Sequence, residues 1–131
     1  MGRKIILAAL LASLAAPAFA AEADNIAAAV TGTWRNPAGG TCEAAYFKTA
    51  ARTNTVRGEQ AMTATVVNAG TTVNALLILQ GAREGQIVNP MTDKAIFLLE
   101  PQEGNKLHVI PIGEPALSWP EVTLDLCPGS R

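Results

Sequence analysis

The chain has 131 residues, with ten Lys or Arg against eleven Asp or Glu, a formal net charge of −1 and a single histidine. No run of basic residues is long enough to track a nucleic-acid backbone or to hold an anionic membrane surface, so neither is expected as a partner. One histidine, two cysteines and no Cys-x-x-Cys argue against a zinc centre, and no metal or cofactor is implied.

Residues 1–20 read as an export signal. Gly2-Arg3-Lys4 supplies a basic start, IILAALLASLAA a short apolar stretch, and Ala18-Phe19-Ala20 the small residues that a signal peptidase reads. The apolar run falls short of the roughly 20 residues that a membrane-spanning helix needs. Cleavage after Ala20 is expected to leave residues 21–131 as one domain, periplasmic or secreted. No cysteine lies just after the cleavage point to carry a lipid, so no stable membrane anchor is expected. Loss of Arg3 and Lys4 makes the exported domain more acidic than the whole chain.

Glu22 to Val30 (EADNIAAAV) reads as a short helix, with Asp24 as its cap and alanines favouring it. Thr31-Gly32 ends it. Beyond that point β-formers alternate with Gly, Pro and Asn at roughly ten-residue spacing, the pattern of a sandwich or barrel. Strands are expected at 32–35, 42–49, 53–57, 61–68, 72–80, 85–89, 94–100, 106–111 and 121–127. The connections PAGG, NAG, GAREG, NPMTD, PQEGN and IGEP carry turn chemistry. Short connections favour antiparallel neighbours, hence an all-β, up-and-down antiparallel barrel of eight or nine short strands with an N-terminal helix. Trp34 and Trp119 are expected as buried anchors near one end.

Cys42 and Cys127 are the only cysteines, and in an exported chain an even pair reads as a disulfide. It would close a loop of about 85 residues, worth roughly 4–5 kcal/mol in the chain-entropy model. In NALLILQ (74–80) and AIFLLE (95–100) both faces are apolar. Such strands are expected to be central, to be covered by the helix or a loop, or to contribute to a contact surface.

The residues offer little for catalysis, and no enzyme is expected. Ser118 lies outside any Gly-x-Ser-x-Gly, His108 is the only base available to it, and Asp125 stands at no meaningful spacing. Ser118 reads instead as a turn residue before Trp119-Pro120. Glu100 with Glu103, and Glu121 with Asp125, lie near strand ends where solvated carboxylates are ordinary. The glycines of PAGG are not followed by Lys and Ser or Thr, so they form no phosphate loop. The better candidate site is FKTAARTNTVRGEQ, 47–60. Lys48, Arg52 and Arg57 bring three cations close to Tyr46, a set able to hold a carboxylate or phosphate if the hairpin gathers them.

Gly32-Thr33-Trp34, after a short helix and at the start of the first strand, resembles the Gly-x-Trp entry of lipocalins and other calycin barrels. The resemblance implies that Trp34 closes the base of the barrel and that the interior holds an apolar ligand where room allows. That family's arginine partner near the end of the barrel finds no clear match, Arg131 being the final residue of the sequence. The same Gly-x-Trp, followed eight residues later by Cys42, is similar to the periplasmic metalloprotease-inhibitor barrels of Gram-negative bacteria. There the segment before the Trp, here Ala21 to Val30, enters the protease cleft. That family closes a short local disulfide, whereas Cys42 must reach Cys127. The expected function is a non-enzymatic periplasmic binding module for a small apolar or anionic ligand or a protein. The alternative is an inhibitor of a protease or other envelope hydrolase.

Overall fold

The computed structural model describes residues 26–131, and of residues 51–54 and 56 the backbone only. The expected signal sequence, residues 21–25 and the expected Asp24 cap therefore lie outside the described residues. A helical turn at 26–30 leads into eight strands: β1 (Thr33–Arg35), β2 (Phe47–Val56), β3 (Glu59–Asn68), β4 (Thr71–Ile78), β5 (Gln86–Val88), β6 (Ala95–Gln102), β7 (Lys106–Pro111) and β8 (Val122–Leu126). Each pairs antiparallel with its sequence neighbours, and β1 pairs with β8 to close the barrel.

Alternation along the strands sorts side chains inward and outward. Trp34 lies opposite Phe47, Phe47 opposite Val66, and Val66 opposite Val73, so one ring of apolar side chains is set by register. Met62, Leu77, Ile87, Phe97, Leu107 and Leu124 fill the rest of the interior and are all but inaccessible to solvent. The barrel is a packed core, as expected where few strands leave room only for their own side chains.

Two of the expected strands are one. β2 runs without a break in sequence from Phe47 to Val56, but its register against β3 shifts between Thr49 and Thr53, where extra residues on β2 oppose a shorter stretch of β3. That bulge is what the sequence pattern presents as a gap. Residues 42–46 are a connection rather than strand. Thr41 Oγ1 accepts from the Ala44 amide at 3.0 Å, which turns the chain before β2 begins. The β2–β3 and β3–β4 connections are two-residue turns, Arg57-Gly58 and Ala69-Gly70, with positive φ at both positions. A glycine at the second position relieves the strain that such turns impose.

The disulfide is present as expected. Cys42 and Cys127 bond across a sequence separation of 85, with their Cα atoms 5.9 Å apart. It ties the long β1–β2 connection to the end of β8, beside the short β1 seam, where β1 contributes only two register pairs to each neighbour. A closure with few backbone bonds thus carries the covalent link.

Strand β4 is buried on both faces. Ala75, Leu77 and Leu79 point inward, while Ile78 points outward with Ala61 of β3 and Val88 of β5. All three outward residues are nevertheless fully buried, in a second apolar cluster with Leu76 and Ala95 at its margin. Beside this cluster the β5–β6 connection is drawn back to the β2–β3 turn by ion pairs described below.

Candidate functional site

The four residues named from the sequence do not form one constellation. Lys48 and Arg57 stand near opposite ends of β2, nine positions apart, roughly 25–30 Å along an extended strand. Lys48 is exposed on the outer face, opposite Thr33 and Thr65. Arg57 occupies the β2–β3 turn, and its Nε lies 3.3 Å from Asp93 Oδ1. The Arg52 side chain lies outside the described residues.

Tyr46 is buried at the entrance to β2. Its main chain is fully used, the amide donating to Trp34 O and the carbonyl accepting from Val67 N. Its hydroxyl has no hydrogen-bond partner among the described residues, and burial pushes the phenol above its ordinary range. Loss of solvent disfavours the phenolate, so this group stays neutral and reads as core rather than as a ligand contact.

Around Trp34 the chain termini of the described domain converge. The indole Nε1–H donates to Val30 O at 2.9 Å, the end of the helical turn. The Arg131 guanidinium lies 6.0 Å from the centre of the Trp34 rings and donates to Ala29 O at 2.9 Å. Ser130 Oγ accepts from the Thr33 amide and donates to Cys127 O. Trp119 is differently placed. It sits in the β7–β8 connection, only partly buried, with its ring 5.6 Å from that of Phe97.

Three charged groupings decorate the outer face. Arg83 donates to both carboxylate oxygens of Glu59 and to the backbone and side-chain oxygens of Asp93. These hydrogen bonds, Glu59's first, hold the guanidinium above the ordinary arginine range. Asp93, itself at φ 62°, also takes Arg57, so one carboxylate gathers the β2–β3, β4–β5 and β5–β6 connections. Elsewhere Asp125 bridges Arg35 and Lys106. His108 stands between Glu100 and Glu121, at 3.5 and 3.1 Å. Among the described residues no group of three potential ligands is arranged to hold a metal.

The β5–β6 connection is built for rigidity. Asn89 acts as the cap of one helical turn, its Oδ1 accepting from the amides of Met91 and Thr92 at 2.8 and 3.4 Å, with Pro90 at the first helical position. The turn closes through Asp93 N to Asn89 O and Asn89 N to Lys94 O. Met91 stands on it 88% exposed. Beside the turn lies a groove of about 690 Å³, lined by Asn89, Thr92, Lys94, Ala95 and residues 112–115. Among the described residues, Ile112 and Leu117 of the β7–β8 connection are the other large apolar side chains left exposed.

No protein-family model matches this chain, and neither a curated protein nor a solved structure is measurably similar to it.

In the sequence GAREG and NPMTD present themselves as turns, and Arg83, Met91, Asp93 and Lys94 do not stand out as site residues. The available signals were an arginine flanked by glycines and an apolar residue at the centre of a turn. Neither says which distant carboxylate or groove stands nearby.

Proposed function

We propose that this protein is a non-enzymatic binding module of the periplasm that engages a protein partner through the outside of its barrel. One observation carries the reading: the interior is filled by the protein's own side chains. Phe47, Leu77, Ile87 and Phe97 have no measurable exposure, which leaves the outer face and the connections to do the binding. The exposed Lys48, with Arg52 on the same strand, supplies cations for an acidic partner surface, whereas Arg57 is already committed to Asp93. Inhibition of a protease or other envelope hydrolase is the form this reading takes when the partner is an enzyme.

The finer resemblance to lipocalin-like barrels draws support from the neighbourhood of Trp34. A tryptophan at the start of the first strand, roofed by a helical turn and faced by a late arginine, matches what that resemblance implies. The sequence offers Arg131 only as a terminal residue, but folding brings it over the indole.

Capture from periplasmic extract on immobilised protein, with native mass spectrometry of the purified protein, tests the function. A partner lost on Lys48→Ala/Arg52→Ala supports the reading. Stoichiometric co-purified lipid with no captured protein would replace it with small-ligand binding.

A further inference from the structure

We propose that the surface formed by the β5–β6 turn and the neighbouring groove is a two-fold interface through which two copies of this chain associate. The knob and the hole lie side by side on one molecule. Met91 projects from a turn held by its own backbone and Asn89, and the groove beside it is lined by Ala95, Ile112 and Pro115. A patch that carries both a projection and a recess is complementary to itself under a two-fold rotation, because each Met91 enters the other copy's groove.

Charge follows the same symmetry. Lys94 and Glu114 both line the groove and both are exposed. Among the described residues neither Lys94 nor Glu114 makes an ion pair; Glu43, Lys48, Glu84 and Glu103 are likewise unpaired, but of these six only Lys94 and Glu114 line the groove. A two-fold axis through the patch sets Lys94 of each copy against Glu114 of the other, giving two equivalent pairs without placing like charges in contact. A heterologous arrangement would use each group once and leave the partner's exposed.

The cost of association is low. The turn is already fixed by hydrogen bonds at both ends, and Asp93 is braced by Arg83 and Arg57. The backbone needs no ordering; the cost falls on the side chains of Met91, Lys94 and Glu114, and a flexible thioether fills an irregular recess without strain. Exposed Ile112 widens the apolar part of the contact beyond a single side chain.

Sedimentation equilibrium of the exported chain from micromolar to submillimolar concentration tests the inference. A reversible dimer is expected, weakened about 30-fold or more by Met91→Asp, the loss typical of a central anchor. Lys94→Glu and Glu114→Lys should each weaken it, while the double variant returns close to the wild type, since the exchange preserves every pair. Met91 is nearly free of intramolecular contact, so matched thermal melts will separate a lost interface from a lost fold. A chain that stays monomeric throughout overturns the proposal. So does a dimer indifferent to Met91→Asp, or a double charge exchange no better than either single one.

Discussion

The Arg131 guanidinium rests 6.0 Å from the centre of the Trp34 rings while it hydrogen-bonds Ala29 O, and the Trp34 indole N–H bonds Val30 O. One aromatic side chain therefore joins the helical turn, β1 and the end of the chain. Trp34 has no measurable exposure, so Trp34→Ala removes a whole core residue and should cost about 3–5 kcal/mol. Arg131→Ala loses a cation over a ring at the surface and should cost about 0.5–1 kcal/mol. Urea unfolding of the two variants gives both values, and the ratio is diagnostic. An equal loss would mean that Arg131, not the indole, holds the seam.

The disulfide should contribute roughly 4–5 kcal/mol through its long loop, less any native strain. Cys42→Ala/Cys127→Ala is expected to lower the melting temperature by well over 10 °C for a domain of this size. Because β1 pairs for only two residues on each side, hydrogen exchange should rise first at Thr33–Arg35. Uniform loss of protection across all eight strands would show that the bond stabilises the whole barrel rather than its seam.

Tyr46 is the chain's only tyrosine, which makes its titration readable in the near ultraviolet. Burial holds its phenol above the usual value, so above about pH 10 the unfolded chain releases this proton while the folded chain keeps it. The folded state then binds more protons, and stability must fall as pH rises through that region. Tyr46→Phe should remove this part of the decline. Because the hydroxyl is unpartnered, the variant should also be as stable as the wild type or about 1 kcal/mol more stable at neutral pH. A destabilised Tyr46→Phe would reveal a hydrogen bond made in solution.

Arg83→Met removes the hub that joins Glu59 to Asp93. Its partners retain partial solvent contact, so the expected cost is only about 1–2 kcal/mol. The more specific consequence is local. Loosening the β5–β6 connection should expose the outward cluster of Ala61, Ile78 and Val88, seen as binding of a hydrophobic dye to a still-folded protein. Since Arg83 is held above the ordinary arginine range, it stays charged at every working pH. Dye binding unchanged from the wild type would show that the latch does not guard that cluster.

Gly113 has no room for a side chain. A Cβ there would stand 2.1 Å from Ala95 O, against backbone that also accepts no easy displacement, because the amides of Ile112 and Gly113 both bond Ile96 O. Gly113→Ala should cost about 1–3 kcal/mol and shift the β7–β8 connection away from β6. Chemical-shift changes confined to residues 95–96 and 112–115 would accompany it.

Several features followed from local chemistry alone. Alternating apolar residues set the strands, paired turn residues made them antiparallel, and the two cysteines had only each other. The Gly-x-Trp entry placed Trp34 in the core. These are properties of neighbours in sequence, where period and φ preference act directly. Tertiary structure decided the rest. The bulge that merges two apparent strands into β2 depends on the register of β3. Arg131 meets Trp34 only because closing the barrel returns the last residues to the first strand. Ile78 is buried on an outward face, in a cluster with Ala61 of β3 and Val88 of β5 that only strand pairing brings together. The expected cation cluster was dispersed by the same logic, since nine residues that are neighbours in a line become the length of a strand. Charge and exposure are settled by what lies across the sheet, and no sequence window contains that neighbour.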